Sequence, residues 1–378
     1  MNNKVPKIGI LTYHFANNFG AVFQAYALQR LLGQYGCDSE FINYCPDHVE
    51  KGGAFWWPSS KWHLKANLVT AFQKYTTFKQ KCLHGNKRKA RFDQFRNANL
   101  STGAGIFKTI KQLDRAQFPY DAVVCGSDQI WNASVQYGID PAYFLDFGGE
   151  QFKRVSFAAS FGKGEVSRAN EQDVGRLLQG FDHISVREES GLGIVKSLAD
   201  RAATWVPDPT LMFSDYDSVT KNTDLSDYVM CYILRSKEAI TEVKALVERE
   251  LGLPLVVPRD RFKQQDAGIA VDPSPEEWLG LIQGANFVVT NSFHGTVFSV
   301  IFKKPFISVG LTGVKKGIND RAKSMLSRLG LSHRFVEGFD EAIIRRKLRE
   351  PIDWTESDRH LTQWRGEAEK YLKQALSR

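Results

Sequence analysis

The chain has 378 residues, 43% hydrophobic and 24% charged, with 50 Lys and Arg against 42 Asp and Glu for a net charge of +8. At roughly 150 residues per domain this is ordinary globular composition with apolar content for two cores, which excludes a disordered chain, a collagen and a disulfide-stapled mini-protein. The five cysteines form no Cys-x-x-Cys pair and no run approaches the roughly 18 apolar residues of a membrane span, so a reduced, cytoplasmic protein without a thiolate metal site is expected.

The opening reads as a buried strand over 7–13, whose short IGIL run is no signal peptide, then a polar turn over 14–20 and a helix over 21–35. In that helix Val22, Ala25, Leu28, Leu32 and Tyr35 share one face. A strand over 37–44 completes a βαβ start of a parallel sheet. Residues 46–118 break the rhythm and read as a helical insert: Phe55-Trp56-Trp57-Pro58 precedes a stretch, Lys61 to Arg96, with ten basic residues and one acid, Asp93. Such a block suggests an anionic partner, whether a phospholipid surface, a diphosphate or nucleic acid.

Strands resume at 120–125, 154–160, 183–187 and 204–206, and Pro207-Asp208-Pro209 punctuates the end of this half. A second series follows: strand 228–234, helix 237–251, strand 253–257, helix 275–284, strand 286–290, a helix from about residue 293, and strand 306–309. A terminal helix covers 356–377. The fold class is therefore α/β, with two doubly wound Rossmann-like domains and a cleft between them. Residues 1–215 form the N-terminal domain with its insert, 216–355 the C-terminal domain, and 356–378 the last helix.

Absent motifs narrow the chemistry. The first βα turn has no Gly-x-Gly-x-x-Gly, and neither a phosphate loop nor His-Glu-x-x-His occurs. Gly191-Leu-Gly193 follows Glu188-Glu189, which would repel a pyrophosphate, and Cys125-Gly126-Ser127 lacks the second glycine of a nucleophile elbow. Three other segments put polar groups where strands should end. Asn17-Asn18-Phe19-Gly20 either receives hydroxyls or an anion, or simply caps a helix. Gly126-Ser-Asp-Gln-Ile-Trp-Asn132 offers Asp128, the amides of Gln129 and Asn132, and the indole of Trp131, a set suited to sugar hydroxyls and ring C–H groups. Thr290-Asn-Ser-Phe-His-Gly-Thr296 opens a helix with hydroxyls, free N–H groups and an imidazole, suited to phosphate or carboxylate.

Together these segments resemble the polysaccharide pyruvyl transferase family. The resemblance rests on Gly9-Ile-Leu-Thr-Tyr-His14, Asn18-Phe19-Gly20 with Gln24-Ala-Tyr-Ala-Leu28, the 126–132 segment, Ser185-Val-Arg187-Glu188, Asp208-Pro209 and Ser292-Phe-His-Gly-Thr296. It implies a glycosyltransferase-B architecture and transfer of an enolpyruvyl-derived unit from phosphoenolpyruvate to two sugar hydroxyls in bacterial polysaccharide synthesis, with no cofactor and no metal. The donor would lodge on the C-terminal side, near His294, Arg187, Ser292, Phe293, Gly295 and Thr296, and the acceptor on the N-terminal side, near Asn18, Gly20, Gln24, Gln129, Trp131 and Asn132. Some members carry an arginine where this chain has Ser292, so Arg321, Lys303 or Lys304 is expected to meet donor charge.

The transfer chemistry needs an acid over C3, cations on carboxylate and phosphate, and a base for the attacking hydroxyl. His294 is read as acid or phosphate contact, Arg187 and Arg321 as clamps, and Asp128 as the base. The acceptor is expected to ride on a polyprenyl diphosphate, with the basic stretch docking the protein at the inner membrane face and no nucleic acid bound. Two alternatives stand beside this reading: a nucleotide-sugar glycosyltransferase of the same architecture, and a non-catalytic protein that binds anionic surfaces.

Overall fold

The structure, a computed structural model, describes residues 5–50, 67–68, 70–72, 75, 87–234, 238–259, 268–311 and 317–377. The first half runs β1 (Lys7–Leu11), α1 (Phe19–Gln34), β2 (Asp38–Phe41), α2 (Asp47–Glu50), α3 (Lys87–Asn99), α4 (Ile110–Asp114), β3 (Ala122–Gly126), α5 (Ala133–Gln136), β4 (Lys153–Phe157), α6 (Arg168–Gln179), β5 (Ser185–Val186), α7 (Ser190–Ala199), β6 (Thr204–Trp205) and α8 (Pro209–Met212). The second half runs β7 (Val229–Tyr232), α9 (Glu238–Leu251), β8 (Leu255–Pro258), β9 (Ile269–Val271), α10 (Pro275–Gly284), β10 (Phe287–Thr290), α11 (Phe293–Ile301), β11 (Phe306–Val309), α12 (Asp320–Arg328), β12 (Phe335–Val336), α13 (Glu341–Arg349) and α14 (Trp354–Leu376).

Every ladder is parallel. The first sheet has the order β2-β1-β3-β4, with the β5-β6 ladder joined to it by bridges at Val155–His183 and Ala159–Val186; the second has the order β12-β11-β10-β7-β8-β9. The cause is visible in β3, β7 and β10, which are buried along their whole length. A strand covered by helices on both faces needs a continuous apolar run, not an alternating one. β5 stops at Val186, shorter than expected, because Arg187 and Glu188 leave the ladder for the polar cluster described below. β9 was not expected: its Ile-Ala-Val is largely exposed at a sheet edge and too short to register.

One apolar core spans both halves. Phe19, Val22, Phe23 and Tyr26 of α1 pack with Trp278, Val297 and Phe298; Phe19 stacks on Trp278 at 5.0 Å and 5°, and Phe23 meets Phe298 edge-on at 5.4 Å. The base of the expected cleft is therefore a closed hydrophobic interface. The end of the basic stretch belongs to that interface: α3 inserts Phe92 and Phe95 into the core, and Arg91 of α3 pairs with Asp272 at 3.2 Å. Most of residues 51–86, including Phe55, Trp56 and Trp57, lies outside the described residues. Helix α14 returns to the first sheet, placing Ala368, Tyr371, Leu372 and Ala375 against Ile8, Ile10 and Val155, and the Tyr371 hydroxyl donates to the Ser156 carbonyl at 2.7 Å. Among the described residues no helix is long and apolar enough to cross a membrane.

Candidate active site

The two sheets face each other by their carboxyl edges at the points where strand order reverses, between β1 and β3 and between β7 and β10, the place where doubly wound sheets bind ligands. A buried polar chain runs along the first edge. Gln24 Nε2 donates to Thr12 Oγ1 at 2.9 Å, Thr12 Oγ1 to the Ser127 carbonyl at 3.3 Å, and Ser127 Oγ to Asp208 Oδ2 at 2.6 Å. Arg187 Nη1 donates to the same carboxylate oxygen at 2.8 Å, while Thr210 N and Oγ1 donate to Oδ1 at 3.0 and 2.6 Å. Beyond it, Arg187 Nε and Ser160 Oγ both donate to Glu188 Oε1, at 3.0 and 2.8 Å.

The second half supplies the start of α11. Ser292 caps that helix, its Oγ accepting from Gly295 N at 3.3 Å, so the next two residues project toward the first half. His294 Nε2 comes to 3.6 Å from Asp208 Oδ2. The Phe293 ring lies 4.4 Å from the Arg187 guanidinium and 5.8 Å from that of Arg321, a plate serving two cations. Gly20, at the start of α1, makes the approach possible: a Cβ there would stand 2.0 Å from His294 Nδ1. Serine Oγ of Ser190 donates to Asp320 beside Arg321, a second bridge between the halves.

Arg187, Glu188 and Asp208 are each at most 2% exposed, and charges so buried persist only when paired. Burial would raise the Asp208 carboxyl, but His294, Arg187 and the Ser127 hydroxyl more than reverse it and hold it well below the usual carboxylate range. Burial pushes Glu188 up, and Arg187, Arg321 and Ser160 only partly oppose it. For Arg187, burial works against the charge, and Glu188, Asp208 and Asp128 secure it. Two buried nitrogens here, Arg187 Nη2 and His294 Nε2, lack a hydrogen-bond partner. An unmet buried donor costs about 1–3 kcal/mol, so an acceptor atom of a ligand is favoured at Arg187 Nη2.

The structure thus brings His294, Arg187, Phe293 and Arg321 together, with Asp128 close enough to act on Arg187. Asp128 is half-buried in the left-handed region at φ 62°, its Oδ1 accepting from Gln129 N. Gln129 and Asn132 bond each other at 2.8 Å on the same turn, and Asn18 caps α1 by accepting from Ala21 N at 3.2 Å. Other expectations need correction. Trp131 offers no face to a sugar: it is buried, stacked on Phe144 at 5.1 Å, and its indole N–H donates to the Tyr143 carbonyl. Gln24 is fully buried and joins the polar chain, and Gly20 accommodates a histidine rather than a hydroxyl. Thr296 is turned to the sheet, bonding the Ser292 carbonyl and Ser308, and a Cβ on Gly295 would meet Thr290 Oγ1 at 2.3 Å.

Neither lysine substitutes for the missing arginine. Lys303 pairs with Asp358 at 2.6 Å beyond the far end of α11, and Lys304 lines a separate hollow with Ser214 and Tyr216. His14 is buried on Phe41 and, mainly through burial, lowered to about 4, hence neutral. Sequence reasoning gave no chemical role to Asp208, Glu188 and Ser160, and read the Ser127 hydroxyl as part of a sugar-binding set rather than as a partner of Asp208. Their signal was position: a charge or hydroxyl directly after a β-rich run, where a parallel strand ends.

The sequence profile of the polysaccharide pyruvyl transferase family matches residues 18–312, while no curated protein sequence matches the chain. Among solved structures, a candidate UDP-N-acetylglucosamine 2-epimerase from Listeria monocytogenes is similar at 9% identity and TM-score 0.51, over 96% of this chain and 91% of that one. The UDP-GlcNAc 2-epimerase of Methanocaldococcus jannaschii, in complex with UDP-GlcNAc and UDP, is similar at 12% identity and TM-score 0.50, over 91% of each chain. Likeness at such identity speaks to fold alone, and the fold is the two-Rossmann glycosyltransferase-B type. With the family's profile covering most of its length, and with both of its sheets meeting at one polar edge, the chain belongs to the polysaccharide pyruvyl transferase family.

Proposed function

We propose that this transferase takes phosphoenolpyruvate as donor and joins its three-carbon unit to two hydroxyls of a sugar, forming a pyruvate ketal and inorganic phosphate. The observation that carries the reading is the convergence of Arg187, Arg321 and His294 around Phe293, with Arg187 Nη2 and His294 Nε2 unsatisfied: a donor-rich spot suited to a small oxyanion, in which Arg321 adds positive charge beyond that of Arg187, which Glu188 and Asp208 neutralise. A proton added to C3 leaves C2 electrophilic, and one sugar hydroxyl adds there. Phosphate then departs with the C2–O bond pair, and the second hydroxyl closes the ring. Of the two hydroxyl protons, one balances C3 and one leaves with phosphate.

In this reading His294 delivers the proton to C3 or to the departing phosphate, and Arg321 is the main clamp. Arg187 reaches the donor through Nη2 only, because Nε and Nη1 are committed to Glu188 and Asp208. Asp128 takes the hydroxyl proton, with Gln129, Asn132 and Asn18 on the acceptor side. We read the acceptor as a sugar carried on a polyprenyl diphosphate, worked on beside an anionic membrane face.

Thermal-shift titration and phosphate release across a panel of lipid-linked sugars test the donor. Phosphoenolpyruvate should raise the melting temperature as a ligand of the native state alone does, and release phosphate only when an acceptor is present. Stabilisation by UDP- or GDP-sugars with none by phosphoenolpyruvate would install the nucleotide-sugar glycosyltransferase in its place.

A further inference from the structure

Asp208 sits where the two halves of the site meet. Both its oxygens are fixed: Thr210 N and Oγ1 hold Oδ1, and Ser127 Oγ and Arg187 Nη1 hold Oδ2. The carboxylate therefore cannot rotate, and Oδ2 presents its remaining side to His294 Nε2 at 3.6 Å. On the opposite side the imidazole is stopped by α1, where only the absent Cβ of Gly20 leaves room for Nδ1. The ring is confined between a glycine and a carboxylate.

Charge counting separates this arrangement from simple neutralisation of Arg187. Glu188 already pairs with the guanidinium through Nε at 3.0 Å. A second buried carboxylate makes the trio net negative, which is costly unless a cation or N–H donor faces it. Thr210 and Ser127 donate to it from the first half, and from the second half His294 faces Oδ2. We propose that Asp208 is a positioning residue for pyruvyl transfer: one ionised carboxylate aligns Arg187 from the first half and His294 from the second, registering the two halves of the donor site. Nε2, facing a carboxylate at a distance beyond a full hydrogen bond, is then the nitrogen that bears the proton, and a donor oxygen bound beside Oδ2 would share it. This rests on the function proposed above for what the alignment serves, but not for the alignment itself.

The experiment combines imidazole nitrogen NMR with kinetics. In the wild-type protein, with the His294 signals identified by their loss in His294→Gln, Nε2 should carry the proton; Asp208→Asn should weaken or reverse that preference. Asp208→Asn should lower kcat about a hundredfold or more and raise KM for phosphoenolpyruvate severalfold through Arg187, and most of its effect on kcat should vanish in the His294→Gln background, where only the Arg187 share remains, because residues acting as one unit are not additive. A merely structural aspartate would cost melting temperature and multiply the loss equally in both backgrounds. That result, or a bare Nε2 in the wild type, overturns the proposal. If Asp208→Asn does not fold, Ser127→Ala, which removes one of the two donors holding Oδ2 and leaves Arg187 Nη1, should lower kcat about tenfold, again chiefly when His294 is present; equal losses in both backgrounds refute it. If phosphoenolpyruvate is not a substrate, the nitrogen signals still decide the alignment, and the function fails separately.

Discussion

At the scale of single residues, the site depends as much on what is missing as on what is present. Gly20 carries no chemistry, yet its lack of a Cβ leaves the room that the His294 ring takes up as it reaches across from the other half. A methyl group there would overlap the imidazole at 2.0 Å from Nδ1, and α1 cannot yield because Phe19 and Phe23 anchor it in the shared core. The ring must move. The Gly20→Ala protein should therefore fold, at a cost of about 1–3 kcal/mol for overpacking, while kcat/KM falls about a hundredfold, the scale of misplacing a catalytic group. Steady-state kinetics beside a thermal melt check this, and near-normal turnover would remove His294 from the reaction. Arg187 shows the complementary lesson: the sequence reading made it a clamp on the donor, but two of its nitrogens serve carboxylates of its own fold.

At the scale of elements, the parallel strands and their order of appearance were legible because runs such as Ala122–Gly126 and Phe287–Thr290 are apolar without alternation. The strand-end segments 126–132 and 290–296 were legible for the same reason, as polar breaks in those runs. What was not legible is direction. Nothing local distinguishes Trp131, which turns into a core of Phe144, Phe161 and Phe181, from an indole turned toward a sugar, because long-range packing decides it. The insert shows the same gap. Read as one basic block, it divides in space: on α3, Arg88 lies 5.0 Å over Phe19, Arg91 pairs with Asp272, and Arg96 bonds Asn17 at 2.9 Å. Arg91 reaches the second half while Arg88 and Arg96 hold α3 against the start of α1, so these arginines are engaged within the fold; of the remaining basic residues, Lys61, Lys65, Lys74, Lys79 and Lys81 precede α3 and would contribute about 1 kcal/mol each near an anionic surface. Replacing these five by Gln should abolish co-sedimentation with anionic liposomes at low salt, leaving melting temperature and phosphoenolpyruvate binding unchanged. If the wild type ignores such liposomes, the stretch is no membrane dock.

At the scale of the whole molecule, two Rossmann-like halves would ordinarily unfold and move as separate domains, since interfaces within a chain tend to be small and polar. Here the interface is itself a core. Phe19, Phe23 and Tyr26 from the first half, Trp278 and Phe298 from the second, and Phe92 and Phe95 from α3 form a single apolar cluster. The chain then crosses back, so that α14 covers the first sheet with Tyr371 and Leu372 while Trp364 donates to the Trp205 carbonyl at 3.1 Å. Neither half can open without exposing several aromatic side chains, each contributing about 1.5–3 kcal/mol on burial. Calorimetry should accordingly show one transition whose calorimetric and van't Hoff enthalpies agree, despite the chain's length. The Trp278→Ala protein should split it, because removing a buried indole costs about 3–5 kcal/mol and here removes it from the face the halves share. Two transitions in the wild type, or a fragment of residues 5–213 with native-like near-UV dichroism, would mean that the halves are independent. The alignment of Asp208 with His294 would then have to be re-established by ligand in each catalytic cycle.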